Sequence, residues 1–353
     1  MSSVDLSTSP WLIRVFDRIP LSLPAIGMLI ALAYFLFLAV LALMLNPQLG
    51  KVLLYQGWQN LEVEHYREVL AIYVVKALMV GYLAAAARYG LRGAVQDLES
   101  LRPALSCNDS EFDHWLTRLR RVPRAPLHVV SAFVIVMTFF VVQRESNWTF
   151  MEQPPPLGSG LMSFAQIEAT VVGLLLFRTL TLEFISAFWF AQIARRFARI
   201  ELLVLERVAP FSWRSVRAVL VLVLFMVILS LQAIFEPNPD GAIGMVIAIS
   251  LVAIAVFLIP LIPLQKRIDA AKQSELARIR ADIHRDNEAR TAGGGDWSRL
   301  TGLIAYEQRI ERVSTWAFNA PTVMRFVLYV SLGIGSWVGA AFVERWLGTL
   351  LGS

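Results

Sequence analysis

The chain reads as an all-α, polytopic helical membrane protein of about seven transmembrane helices, and three features of the sequence lead to that class. Of 353 residues, 57% are hydrophobic and 17% charged, with a mean hydropathy of +0.59, whereas soluble domains carry about 25% charge. The apolar residues are gathered into uncharged runs of the length that about 20 helical residues need to cross a hydrocarbon core. The basic residues gather in alternate connections between those runs.

The first run, Leu23–Leu45, is too long for a signal-peptide core and lacks a small-residue cleavage site after it, so it is expected to remain a helix. Residues 46–68 form a partly amphipathic connection to the second run, 69–87, which only Lys76 breaks. The third run is 126–142. Residues 161–191 come next, where Glu168, Arg178 and Glu183 blunt the hydropathy of an otherwise apolar stretch. Runs at 218–235 and 242–264 follow, and Pro260 and Pro263 should kink the second of these near its end.

The 242–264 helix should continue through residue 290 as an extension. There Ile268, Leu276, Ile279 and Ile283 make an apolar stripe, and Arg278/Asp282 and Asp286/Arg290 are spaced to pair on one face. Gly293-Gly294-Gly295 ends it, and a helix over 297–318 presents Leu300, Leu303, Ile304, Ile310 and Val313 on one side. Asn319 and Pro321 suit the cap and first turn of a last run at 326–343. The expected units are thus a bundle over residues 1–264, a cytoplasmic helical extension over 265–320, and a last transmembrane helix within 321–353 that is a candidate oligomer or pore helix.

Orientation decides whether 161–191 crosses. With seven spans and the amino terminus inside, 26 of the 32 Lys and Arg residues fall on the inner side and 4 on the outer, with Lys76 and Arg178 inside spans. That is the bias of the positive-inside rule, and it puts the carboxyl terminus outside. The arginine-rich composition points to a bacterial inner (plasma) membrane. The net charge of +5 and pI near 9.5 follow from arginines held against an anionic membrane face, so no nucleic-acid partner is expected.

Catalysis and metal chemistry find little purchase. The single cysteine, Cys107, allows neither an intrachain disulfide nor a thiolate metal cage. Glu62/His65 and Glu111/His114 have a di-iron-bundle spacing, but the topology puts them on opposite sides of the membrane. The triple glycine lacks the Gly-Lys-Ser/Thr of a phosphate loop. No zinc pair, aspartate pair or serine with a histidine neighbour supports a protease. The expectation is no catalytic residue, no metal and no cofactor.

Charges within the bilayer cost about 2.5 kcal/mol or more on insertion scales, so they face the bundle interior and seek partners. The candidates are Lys76, Glu168, Arg178 and Glu183, with either cation able to reach either carboxylate. They can serve as ion pairs that fix helix order or as a pathway for an ion or proton. In the last run Ser331, Gly335 and Gly339 recur every four residues, with Gly333 and Ser336 beside them, a pattern that lets helices approach closely. Were that helix to line a pore, Glu344 would ring its outer mouth and favour cations.

The order of parts resembles that of seven-transmembrane ligand-gated channels of the insect chemoreceptor type. The likeness is one of layout and covers most of the chain: inner amino terminus, extended fourth and sixth helices, a cytoplasmic helix, then a final span. The resemblance implies an anchoring domain made by the extensions and a tetrameric pore lined by the last helix. The segment Trp316-Ala317-Phe318-Asn319-Ala320-Pro321, followed by Ser336-Trp337-Val338-Gly339, also resembles uncharacterised bacterial membrane proteins, which implies no function. The sequence thus leads to an oligomeric inner-membrane channel or transport protein, embedded in the lipid bilayer and acting on an ion or small-molecule ligand. The alternative is a non-transporting sensor or scaffold whose basic cytoplasmic helices bind a partner, and a weaker one is an enzyme acting at the inner interface.

Overall fold

The computed structural model describes residues 21–121, 124–144, 160–233, 240–291 and 297–315, together with positions 324, 325, 327–329, 331 and 335. Of the described residues 91% are helical, and there is no strand among them, only an isolated bridge between Leu105 and Ala198. The main helices are α1 (Leu23–Leu45), α2 (Glu64–Leu101), α3 (Asp109–Arg120), α4 (Arg124–Arg144), α5 (Gly160–Phe197), α6 (Ala209–Ala233), α7 (Asp240–Thr291) and α8 (Trp297–Glu311). Among the described residues six stretches, containing α1, α2, α4, α5, α6 and α7, are long and apolar enough to cross a membrane. The 161–191 stretch is among them despite its three charges. The 326–343 run lies outside the described residues apart from a few isolated positions.

Apolar side chains also cover the outside. Met28 and Met44 on α1, Val129 and Phe140 on α4, and Leu251 on α7 are all more than 60% exposed. A soluble fold would bury such residues, since large exposed apolar patches signal a contact surface. On helices of this length they mark a membrane-embedded bundle.

Helix length exceeds what a bilayer needs. The 38 residues of α2 rise about 57 Å at ~1.5 Å per residue, against a hydrocarbon core of about 30 Å. The helix therefore runs past its apolar segment to Leu101. At that end it is pinned to the end of α5 by backbone bonds, Ser106 N donating to Phe197 O at 2.8 Å and Arg199 N to Ala104 O at 2.9 Å. The following helix, α3, opens with a capping box: the Asn108 side chain accepts from Glu111 N at 2.7 Å, and Glu111 Oε2 accepts from Asn108 N at 3.1 Å.

α1 packs antiparallel on α2 where both lack bulk. A Cβ on Gly27 would stand 3.2 Å from Gly81 O, and one on Gly81 would run into Gly27 O and the Ala31 backbone. α5 packs against α2, α4 and α7, while α6 fills the space between α2 and α7. Three buried apolar clusters are stacked along the bundle. One end is filled by Leu38, Leu53, Leu70 and Phe164, the middle by Met79, Leu83, Leu176, Phe225 and Phe257, and the opposite end by Leu98, Trp115, Phe190, Phe211 and Leu264.

α7 stays helical through Pro260 and Pro263 and on into its extension. The expected stripe is present: Ile268, Leu276 and Ile279 are buried, and Ile283 packs beside them. The partner face of α8 is made by Tyr306 and Ile310, whereas Ile304 is turned outward. Arg278 and Asp282 do not pair, and the Arg290 side chain lies outside the described residues. Arg278 instead meets Glu275 at 2.6 Å, Asp286 meets Arg299 of α8 at 3.1 Å, and Arg280 bridges Glu307 and Glu311. Arg280 and Asp286 thus find partners on a second helix, while Arg278 takes a carboxylate three residues away on its own.

Candidate functional site

The polar residues inside the bundle fall at two levels on one face of α5. At the first, Lys76 of α2 lies 2.8 Å from Glu168, whose side chain is 8% exposed. The ammonium also stands over the Tyr73 ring at 5.2 Å. Of the alternatives open in the sequence, the fold selects this pair.

At the second level, Glu183 meets Arg214 at the start of α6 at 2.5 Å, with the two side chains 3% and 2% exposed. The same guanidinium donates to Ser186 Oγ. Gly90 of α2 makes room for the carboxylate, because a Cβ there would strike Glu183 Oε1. One turn further along α6, Arg217 reaches Asp97 at 3.2 Å and lies over the Tyr89 ring at 5.5 Å, and Gly93 clears space for that guanidinium. Arg214 Nε and Nη1 and Asp97 Oδ2 are buried with no hydrogen-bond partner among the described residues.

Glu168 and Glu183 are fifteen residues apart on α5, about 22 Å along the axis at ~1.5 Å per residue. Between the two levels stand Met79 and Leu83 of α2 and Leu176 of α5, all buried in the middle cluster. Arg178 lies in this interval. It is partly buried, its Nε has no hydrogen-bond partner, and it makes no ion pair among the described residues.

The sequence-selected charges are thus split. Lys76 and Glu168 come together, Glu183 is taken by a different cation, and Arg178 stays apart. Arg214, Arg217 and Asp97 lie outside the uncharged runs and are not among the charges that the sequence reading selects. The available signal was Ser212-Trp213-Arg214-Ser215-Val216-Arg217, two arginines and two serines alternating with apolar residues just before a span. Of the small-residue stripe, Ser331 is exposed and Gly335 has nothing within 4 Å of a Cβ position. Gly333, Ser336, Gly339 and Glu344 lie outside the described residues.

The Glu111/His114 fragment sits on α3, and Glu62/His65 flanks the start of α2 at the other end of the bundle. No group of three or more metal-ligating side chains occurs among the described residues. Burial pushes the Cys107 thiol above its ordinary range, and Arg102 opposes this only in part.

The α3 end of the bundle carries a different kind of site. Arg118 and Arg196 face one hollow of about 510 Å³, and Arg195, Lys266 and Arg267 line a smaller one on the far side of the α5 terminus. Arg267 caps that terminus, donating through Nε to Arg195 O at 2.9 Å and through Nη2 to Arg196 O at 3.0 Å, which suits a cation at the negative end of a helix dipole. No protein-family model, curated protein or solved structure matches the chain.

Proposed function

We propose that the chain is a non-transporting membrane module, a sensor or scaffold whose bundle is a support and whose basic end engages the partner. In this reading seven spans cross the plasma membrane of a bacterial cell, with the amino terminus and the α3 end in the cytoplasm. The lopsided distribution of arginine supports that orientation. The observation that carries the functional reading is the separation of the two ion-pair levels by Met79, Leu83 and Leu176. A cation following the bundle interior would leave one pair and cross that layer past Arg178, of like charge, and the Thr179 hydroxyl, already bonded to Leu175 O at 2.8 Å, losing its hydration free energy on the way. The pairs then act as clamps that fix which helix faces which.

A second reading keeps the chain as an oligomeric, cation-conducting channel, with the axis formed by the last span. The open surface at Ser331 and Gly335 supports it, since small residues with nothing against them suit close contact with another copy. Flux measurements on the full chain in liposomes separate the two. The module reading expects sodium, potassium and proton fluxes equal to those of empty vesicles. A sustained cation current whose reversal potential moves in Glu344→Lys would overturn it in favour of the channel.

A further inference from the structure

We propose that the hollow between α3 and the last two turns of α5 holds the phosphate of an anionic phospholipid. This goes beyond either functional reading and rests only on membrane embedding, with the α3 end at the membrane–water boundary. The cavity is about 510 Å³, within the ~300–1,000 Å³ typical of small-molecule clefts. Its wall joins His114, Trp115 and Arg118 of α3 to Gln192 and Arg196 of α5.

Charge is the first argument. Among the described residues neither Arg118 nor Arg196 has a carboxylate partner. On the extension, by contrast, Arg278, Arg280, Arg285 and Arg299 are paired with Glu275, Glu307, Glu311, Asp282 and Asp286. The carboxylate on the wall, Glu111, is bonded back to Asn108 N at the start of α3. The hollow therefore brings together two guanidiniums with no carboxylate partner among the described residues.

Preorganisation is the second. The Arg118 guanidinium lies over the Trp115 ring at 5.3 Å and the Trp189 ring at 5.2 Å. Stacking of this kind holds the guanidinium plane while its N–H edge stays open, the geometry that suits the oxygens of a phosphate. The rotamer freedom of a long side chain has already been lost, so less is lost on binding.

The third argument selects a lipid over a free phosphate ester. Arg196, Gln192 and Phe188 are spaced four apart on one face of α5, and Phe188, the nearest of them to the apolar part of the helix, is 57% exposed. A headgroup at Arg118 and Arg196 then leaves an acyl chain to run along Gln192 and Phe188 into the membrane. A soluble phosphate would leave that aromatic surface uncovered.

The test is native mass spectrometry of the delipidated full chain in detergent, titrated with phosphatidylglycerol, phosphatidylcholine or glycerol 3-phosphate. Phosphatidylglycerol is expected to fill one saturable site, and Arg118→Gln and Arg196→Gln each to weaken it about tenfold, as expected when a charge-assisted hydrogen bond is lost. The exposed Arg196 keeps the test sound should Arg118→Gln disturb its two tryptophans. Arg285→Gln, at an exposed pair with Asp282 on the α7 extension, is expected to change nothing. Equal affinity for phosphatidylglycerol and phosphatidylcholine, or an unchanged Arg196→Gln protein, would overturn the site. Glycerol 3-phosphate binding as tightly as phosphatidylglycerol would overturn the choice of lipid.

Discussion

The Glu183–Arg214 pair gives a double-mutant test with a defined sign. Both side chains are almost fully enclosed, at 3% and 2% exposure, and Arg214 also holds Ser186 Oγ. Glu183→Met leaves the guanidinium buried with a serine as its remaining partner, and Arg214→Met strands the carboxylate against Gly90. Removing one partner of a buried pair costs about 3–5 kcal/mol, whereas replacing both by apolar residues is often neutral or better. Each single variant should therefore lose about 3–5 kcal/mol in SDS-titrated unfolding of the full chain in mixed micelles, followed by far-ultraviolet circular dichroism. The double variant should stand closer to the parent than either single one, which requires a coupling larger than either single loss, at least about 3–5 kcal/mol. Single variants within about 1 kcal/mol of the parent would mean that the pair is hydrated like a surface one. A double loss equal to the sum of the two single losses would refute the clamp.

The Lys76–Glu168 pair should behave alike at lower amplitude, because Lys76 is 22% exposed. Lys76→Met should destabilise the chain and Lys76→Met/Glu168→Gln should recover part of the loss in the same unfolding assay. Gly81→Ala should cost about 1–3 kcal/mol as a methyl group is driven into the α1 backbone. Gly302→Ala on α8, where nothing lies within 4 Å, should instead raise stability by about 0.5–1 kcal/mol, so thermal melts of the two variants should move in opposite directions. Cys107 is 7% exposed and its thiol is pushed up by burial, so less thiolate forms at neutral pH than on a free cysteine. Maleimide labelling of the folded chain should be slow at pH 7, quicken only at higher pH than an ordinary thiol requires, and become fast on unfolding.

The sequence alone determined the helices. Hydropathy is a property of each segment's transfer from water, so the runs at 23–45, 69–87, 126–142, 161–191, 218–235 and 242–264 could be located without knowing their neighbours, and the described residues of each lie on a helix. The stripe of Ile268, Leu276 and Ile279 was legible for the same reason, since the 3.6-residue period belongs to one helix. What the sequence left open was every relation between helices. Lys76 had two carboxylates to choose from, and Glu183 took Arg214 from a stretch that read as a connection. Asp286 likewise meets Arg299 of α8, and Arg280 meets Glu307 and Glu311 of α8, pairings that the spacing on α7 does not show. Such choices depend on how far each helix is rotated and slid against the next. Close approach at Gly27 and Gly81 and the backbone bonds between residues 104–106 and 197–199 set that register, and these are contacts between distant parts of the chain that no single segment encodes.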